Sequence, residues 1–345
     1  MNLTDLLNKK IFTKNDLITL LSLEKESDMN LLFQKADEVK NKYCGSLIHL
    51  RGIIEFSNYC RQDCHYCGIR NENDDVNRYR MSIDEILASA EMIFNAGIKT
   101  IVLQSGEDTF YKGTDIANII RTIKEKFDVA ITLSLGERTF EEYDEFKKAG
   151  ADRYLLKHET ANEKLYSEIH PHQKLAERIS HLKYLKSIGF QVGSGNIIGL
   201  PNQTLSDIAD DILLCGELNV DMASFSPFIC AENTPLSYVE NCKLDLALKT
   251  SAVARIYLKN VHIPATTALS TLSPDGRKRG LRAGANVIMP TYTPNEYRFN
   301  YLIYNNKPGG SEAPQIKLDS LYQLFDELDL APSGSKGHSM KEAEV

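Results

Sequence analysis

Three cysteines fall within eight residues, Cys60-Arg-Gln-Asp-Cys64-His-Tyr-Cys67, directly after an apolar run from Leu47 to Phe56. Three thiolates on one short loop can each ligate one iron of a cubane cluster and leave the fourth iron open to a small molecule. Two plainer readings compete with this one. A structural zinc site closes with four ligands, and His65 is adjacent. However, His65 lies between two of the cysteines, where it cannot easily reach the same metal, and no second C-x2-C occurs in the chain. Three free thiols would need no metal at all. The spacing, the position after the run and the lack of a fourth ligand favour the 4Fe-4S cluster. The remaining cysteines, Cys44, Cys215, Cys230 and Cys242, are scattered and bring the total to an odd seven. That distribution is not a disulfide framework; it fits small buried apolar residues in a reducing compartment.

The elements that must hold such a loop can be read from pattern and caps. Residues 1–45 carry leucines at helical spacing and form an N-terminal helical extension. From about residue 46, short β-branched runs alternate with amphipathic helices. Ser82-Ile-Asp-Glu85 and Thr139-Phe-Glu-Glu142 are capping boxes, and Gly97 and Gly150 are placed to end the helices that follow. Eight strands are expected, near 48–56, 100–104, 129–134, 152–157, 191–198, 221–226, 262–267 and 285–289. Strands alternating with helices at this spacing require a parallel sheet with right-handed crossovers. Eight such units predict a complete (β/α)8 barrel over 46–292, followed by a C-terminal cap over 293–330. A doubly wound sheet competes, but no G-x-G-x-x-G follows the first strand. In a barrel the cysteine loop would sit at the C-terminal mouth, where active sites of this architecture lie. Residues 331–345 read as a disordered tail.

Bulk properties narrow the partners. The chain has 345 residues, 42% hydrophobic and 25% charged, with net charge −7. An acidic balance gives no reason to expect nucleic acid or an anionic membrane. No stretch approaches the roughly 20 apolar residues of a membrane span, and no signal peptide is evident. A cytoplasmic location is the expectation.

With the aromatic Tyr66 before its third cysteine, the motif resembles the signature of the radical S-adenosylmethionine (SAM) superfamily. Further stretches resemble, within it, the HydE family of FeFe-hydrogenase maturases and its biotin synthase and methylornithine synthase relatives. Among them are Glu55-Phe-Ser-Asn-Tyr-Cys60, Arg78-Tyr-Arg-Met81, Val102-Leu-Gln-Ser-Gly-Glu-Asp108, Ala151-Asp-Arg-Tyr-Leu-Leu156, Ile263-Pro-Ala-Thr-Thr267 and Gly284-Ala-Asn-Val-Ile-Met-Pro290. The similarity runs from about residue 45 to 305.

The resemblance implies that Cys60, Cys64 and Cys67 hold one 4Fe-4S cluster whose open iron binds SAM, which is cleaved reductively to a 5′-deoxyadenosyl radical. It implies SAM contacts from Tyr66, Gln104, Gly106, Ser134, Glu159 and Arg178. Glu159 follows the fourth strand, a mouth position where a carboxylate has little structural purpose, and the Arg178 fork suits a carboxylate. Gly106 would let the backbone approach a ligand closely. A second set is expected to face the substrate: Thr132, Arg153, Lys157, Thr266, Thr267, Met289, Tyr301 and Tyr304. Lys157 and Arg153 could pair with a substrate carboxylate. Inward threonines at 266 and 267 hint at a polar cavity. For Tyr301 and Tyr304, a helical packing stripe that also contains Tyr297 is an equal reading. No cysteine follows Cys242, so no second iron–sulfur cluster is expected. The implied substrate is a small-molecule or organometallic iron–cysteine species, with partner hydrogenase maturases and a reducing electron donor. An amino-acid mutase of the methylornithine synthase type and a non-catalytic zinc scaffold are the alternatives.

Overall fold

Each capped helix returns the chain to the same sheet, and the computed structural model places the strands side by side in chain order. It describes residues 2–307 and 314–341, with the side chains of 314–317 outside that description. The first apolar run splits at Arg51 into β1 (Leu47–Leu50) and β2 (Gly52–Ser57). Next come β3 (Thr100–Ser105), β4 (Ala130–Ser134), β5 (Arg153–Leu155), β6 (Gln191–Ile198) and β7 (Met222–Pro227). β2 to β7 form one parallel sheet in sequential order. The short β8 (Val287–Ile288) and β9 (Ala331–Pro332) flank β1.

Both expected capping boxes are present. Ser82 and Thr139 accept from the backbone three residues on, and Glu85 and Glu142 reach back to the cap backbone. The helix Ile83–Asn95 then turns Ile86, Ala90 and Ile93 to the sheet, all fully buried.

Beyond β7 the pairing thins to single parallel bridges: Met222 with His262, Pro264 with Val287, and Ile53 with Thr291. The strand expected over 262–267 is therefore a pair of bridges, after which the helix Thr267–Leu272 begins. Pro264 explains the interruption, since it has no N–H to give to a ladder.

The expected disordered tail is also corrected. Leu47 and Ile48 pair with Ala331 and Pro332, and residues 333–341 lie across the N-terminal ends of the strands. The Lys336 carbonyl accepts from Thr100 Oγ1 at 2.8 Å and Arg153 Nη2 at 2.6 Å. The Gly337 carbonyl accepts from the same Arg153 nitrogen at 2.7 Å. Ser339 donates to Asp221. A Ser- and Gly-rich segment buries little apolar surface of its own, but the floor of the sheet offers buried donors that need acceptors. Residues 342–345 of the expected tail, and 308–313 of the expected cap, lie outside the described residues.

Candidate active site

The cysteine loop leaves β2 at the C-terminal ends of the strands, and hydrogen bonds from within the loop hold it in shape. Arg78 donates to four carbonyls, those of Asn58, Ile69, Arg70 and Asn73. Asn58 donates to Asn77 and Asn300 and accepts from the Tyr79 N–H. A rigid fork with several donors suits such a clamp.

Cys60, Cys64 and Cys67 line one cavity of about 640 Å³, a size suited to a small-molecule ligand. Burial pushes all three thiols up, Cys67 to about 12, and at Cys64 the neighbouring sulfurs add to the effect. These sulfurs stay protonated on their own; ligation by a metal is what would ionise them.

The same cavity is lined by Tyr66, Gln104, Gly106, Ser134, Glu159 and Arg178, so the expected SAM contacts converge. Gly106 does so for a reason other than the one expected. A Cβ there would lie 2.2 Å from the Tyr59 carbonyl and 2.8 Å from Cys60 Cβ. What approaches closely is the cysteine loop itself, and the next residue's N–H points to Cys60 Sγ at 3.4 Å. Gly195 plays a similar part between strands. At φ 146° it lets β6 pass β7, where a Cβ would meet the Ser224 carbonyl at 1.9 Å.

Glu159 has a left-handed backbone, φ 63°, a strained conformation for a residue with a side chain. It is held there from both sides, its N–H donating to the Gly195 carbonyl and its carbonyl accepting from Ile197. The carboxylate faces Lys157 at 2.8 Å. Arg178 is buried and engaged: Nε donates to Glu137 at 2.5 Å, Nη1 to the Lys157 carbonyl and Nη2 to Gln173. The Glu137 charge helps hold the guanidinium protonated, against the cost of its burial.

The second set divides. Lys157, Thr266, Thr267, Met289, Tyr301 and Tyr304 line the cavity. Tyr301 accepts from Gln104 Nε2 at 3.1 Å, whereas Tyr297 stacks outward on Tyr79 and donates to Glu85. Thr132 is buried one layer below Ser134, outside the cavity lining, with Oγ1 unbonded. Arg153 is not at the site. It opens β5 at the opposite end of the sheet and holds the tail carbonyls. Lys157 lies four positions on, past the end of β5, about 13 Å away for extended chain.

Sequence reasoning missed several residues. Glu107 accepts from Gln62, Arg61 and the Glu137 N–H, tying the cysteine loop to the loops after β3 and β4. Glu137 anchors Arg178. Glu55 lies at the cavity wall, where it pairs with Lys307 and accepts from Thr291 and Thr293. His170 lies against Cys64. The Gly-Glu dipeptides at 106–107 and 136–137, each just past a strand end, were the available signal for the first two.

A parallel α/β sheet whose first loop carries three cysteines to a cavity at the strand ends defines the class of radical SAM enzymes. The pattern of the Radical SAM superfamily matches residues 54–215. The FeFe-hydrogenase maturase subunit HydE of Thermotoga maritima is 46% identical over 301 residues, 87% of this chain and 86% of that protein. The 3-methylornithine synthase of Methanosarcina acetivorans is 30% identical over 277 residues, 79% and 78% of the two chains. Among solved structures, methylornithine synthase superposes with TM-score 0.82 over 99% of both chains at 24% identity. The maturase HydG of Carboxydothermus hydrogenoformans does so with TM-score 0.80 at 22% identity, covering 96% of this chain and 78% of that one. These two show the fold. The chain belongs to the HydE family of the radical SAM superfamily.

Proposed function

We infer that this radical SAM enzyme acts in assembly of the FeFe-hydrogenase di-iron cofactor, on a sulfur-containing, iron–cysteine type substrate. The convergence of the three cysteines on the same cavity as Glu159 and Arg178 is the observation that supports it most. The 46% identity to HydE gives the reading its direction.

The residues fit the group they would hold. Three sulfurs line one cavity, the Glu159 carboxylate there pairs with Lys157, and Thr266 Oγ1 has no hydrogen bond. When bound, the 4Fe-4S cluster would supply the electron that cleaves the SAM sulfonium to give the 5′-deoxyadenosyl radical. Cys60, Cys64 and Cys67 would hold three irons. Glu159 would accept from the SAM amino or ribose hydroxyl groups, and Arg178, fixed by Glu137, would place positive charge beside the SAM carboxylate. Gln104, Gly106, Ser134 and the Tyr66 backbone would complete the SAM wall. Lys157, Thr266, Thr267, Met289, Tyr301 and Tyr304 would face the substrate, with Thr132 beneath them.

The single bridges beyond β7 support reading the sheet as a complete (β/α)8 barrel, because they join His262, Val287 and Thr291 in a path back to β1 and β2. One cluster is proposed, since no cysteine follows Cys242. A partner maturase delivering the substrate, a reducing electron donor and a cytoplasmic setting belong to the same reading. No helix among the described residues is long and apolar enough to cross a membrane. A zinc scaffold is disfavoured by geometry: among the described residues no three His, Cys, Asp or Glu side chains converge on one ion. A cubane, with one sulfur on each iron, does not require that convergence.

The test is anaerobic reconstitution with iron and sulfide, then dithionite and SAM. 5′-Deoxyadenosine and an electron paramagnetic resonance (EPR) signal that SAM shifts are expected. The protein is also expected to replace HydE in a mixture that activates apo-hydrogenase. Colourless, zinc-loaded protein that leaves SAM intact overturns the catalytic reading. Deoxyadenosine with 3-methylornithine formed, and no hydrogenase activation, turns it to the mutase.

A further inference from the structure

The three sulfurs do not receive their hydrogen bonds in the same way. Backbone N–H groups serve two of them, Glu107 and Gln62 at Cys60 and Ile69 at Cys67. At Cys64 the partner is a side chain: His170 Nδ1 lies 3.3 Å from Sγ. Its other nitrogen, Nε2, lies 3.3 Å from the Tyr66 hydroxyl.

The imidazole has little freedom to be elsewhere. It is buried, stacked on Tyr166 with ring centres 4.6 Å apart, and its backbone N–H donates to the Tyr166 carbonyl. The cysteine loop is pinned to the same place, since the His65 N–H donates to the Ile169 carbonyl at 3.0 Å. A neutral imidazole has one donor and one acceptor nitrogen. A thiolate can only accept, and a phenol can donate. One tautomer satisfies both contacts, with Nδ1–H toward Cys64 Sγ and Nε2 accepting from Tyr66.

We propose that His170 tunes the cluster by donating a hydrogen bond to the Cys64 ligand sulfur, with Tyr66 fixing its tautomer. A donor to a ligand sulfur stabilises the more negative, reduced cluster and raises its potential. The backbone donors at Cys60 and Cys67 survive any substitution of their own side chains. The one at Cys64 changes with residue 170, which makes it the adjustable contact of the three. The proposal rests on the cluster part of the proposed function and is independent of its substrate. Deoxyadenosine-free protein with the contact intact would sink the catalytic reading and leave this one standing.

The first test uses the unaltered protein labelled with 15N-histidine, reconstituted and reduced without SAM. Pulsed EPR is expected to show a 15N coupling to the cluster; its absence overturns the proposal. His170→Phe keeps the ring but removes both nitrogens. It is expected to lose the coupling and to lower the reduced-to-oxidised ratio about tenfold at a fixed poise, or 59 mV for one electron. His170→Asn places an amide donor near the Nδ1 position and is expected to recover most of the potential. Tyr66→Phe frees the tautomer and is expected to weaken the coupling. An unchanged midpoint in His170→Phe with full iron and sulfide content refutes the assignment. Should that variant fail to load, the labelled native protein and His170→Asn decide.

Discussion

The two ends of the sheet both bury arginines, and they treat them differently. At the mouth, Arg178 is balanced by the carboxylate of Glu137 and borders a cavity where Thr266 Oγ1 has no hydrogen bond. At the floor, Arg153 and Arg51 donate to carbonyls of the chain's own later residues, Lys336 and Gly337. The mouth borders open space for a ligand; at the floor the chain's own carbonyls meet most of the donors, with Arg51 Nε left unbonded. Chemistry is therefore expected to respond to changes at one end, and stability to changes at the other.

The largest effect should come from Cys64→Ala. It is expected to abolish SAM cleavage with the far-ultraviolet circular dichroism of the native protein; retained deoxyadenosine formation would remove the cysteines from the chemistry. Arg178→Ala comes next and should touch both properties. SAM affinity measured by calorimetry is expected to fall at least tenfold. Breaking a buried ion pair also leaves Glu137 unbalanced, at a cost of about 3 kcal/mol in denaturant unfolding. Unchanged SAM affinity would take Arg178 out of the binding wall.

At the floor, truncation after Pro332 removes the acceptors of Arg153, Thr100 and Arg51. A loss of roughly 2–4 kcal/mol is expected, with deoxyadenosine formation per loaded cluster unchanged at low temperature. A loss of turnover without a loss of stability would erase the contrast between the two ends.

The smallest effect concerns pH. His49 lies beneath the tail, and burial, then Arg51 and Arg153, lower its pKa to about 4. It is neutral in the fold and protonated in the unfolded chain below about 6.5. Its contribution is complete above pH 6.5 and is lost as pH falls toward 4, by roughly 3 kcal/mol at most. His49→Phe should make unfolding free energy less steep across that window, and an unaltered slope would refute the assignment.

Much of this was readable beforehand because it is local. The boxes at Ser82 and Thr139, the β-branched runs and the cysteine spacing are each contained within a few residues. Arg153 was misplaced because alternation along a strand tells which face a side chain takes, and not which end of the sheet it occupies; its place at the start of β5 held that information. Glu107, Glu137 and His170 sit on separate loops with no periodicity, and only the fold makes them neighbours. The tail was misjudged because its order comes from donors on other strands rather than from its own composition.

The filled floor also bears on the order in which the molecule is made. Arg51 reaches a carbonyl 286 residues further on, and the cysteine loop follows it almost at once. A growing chain on the ribosome thus presents its three clustered cysteines long before the stopper for the opposite end exists. The floor can therefore close only after the strands and the cysteine loop at the mouth have already been made.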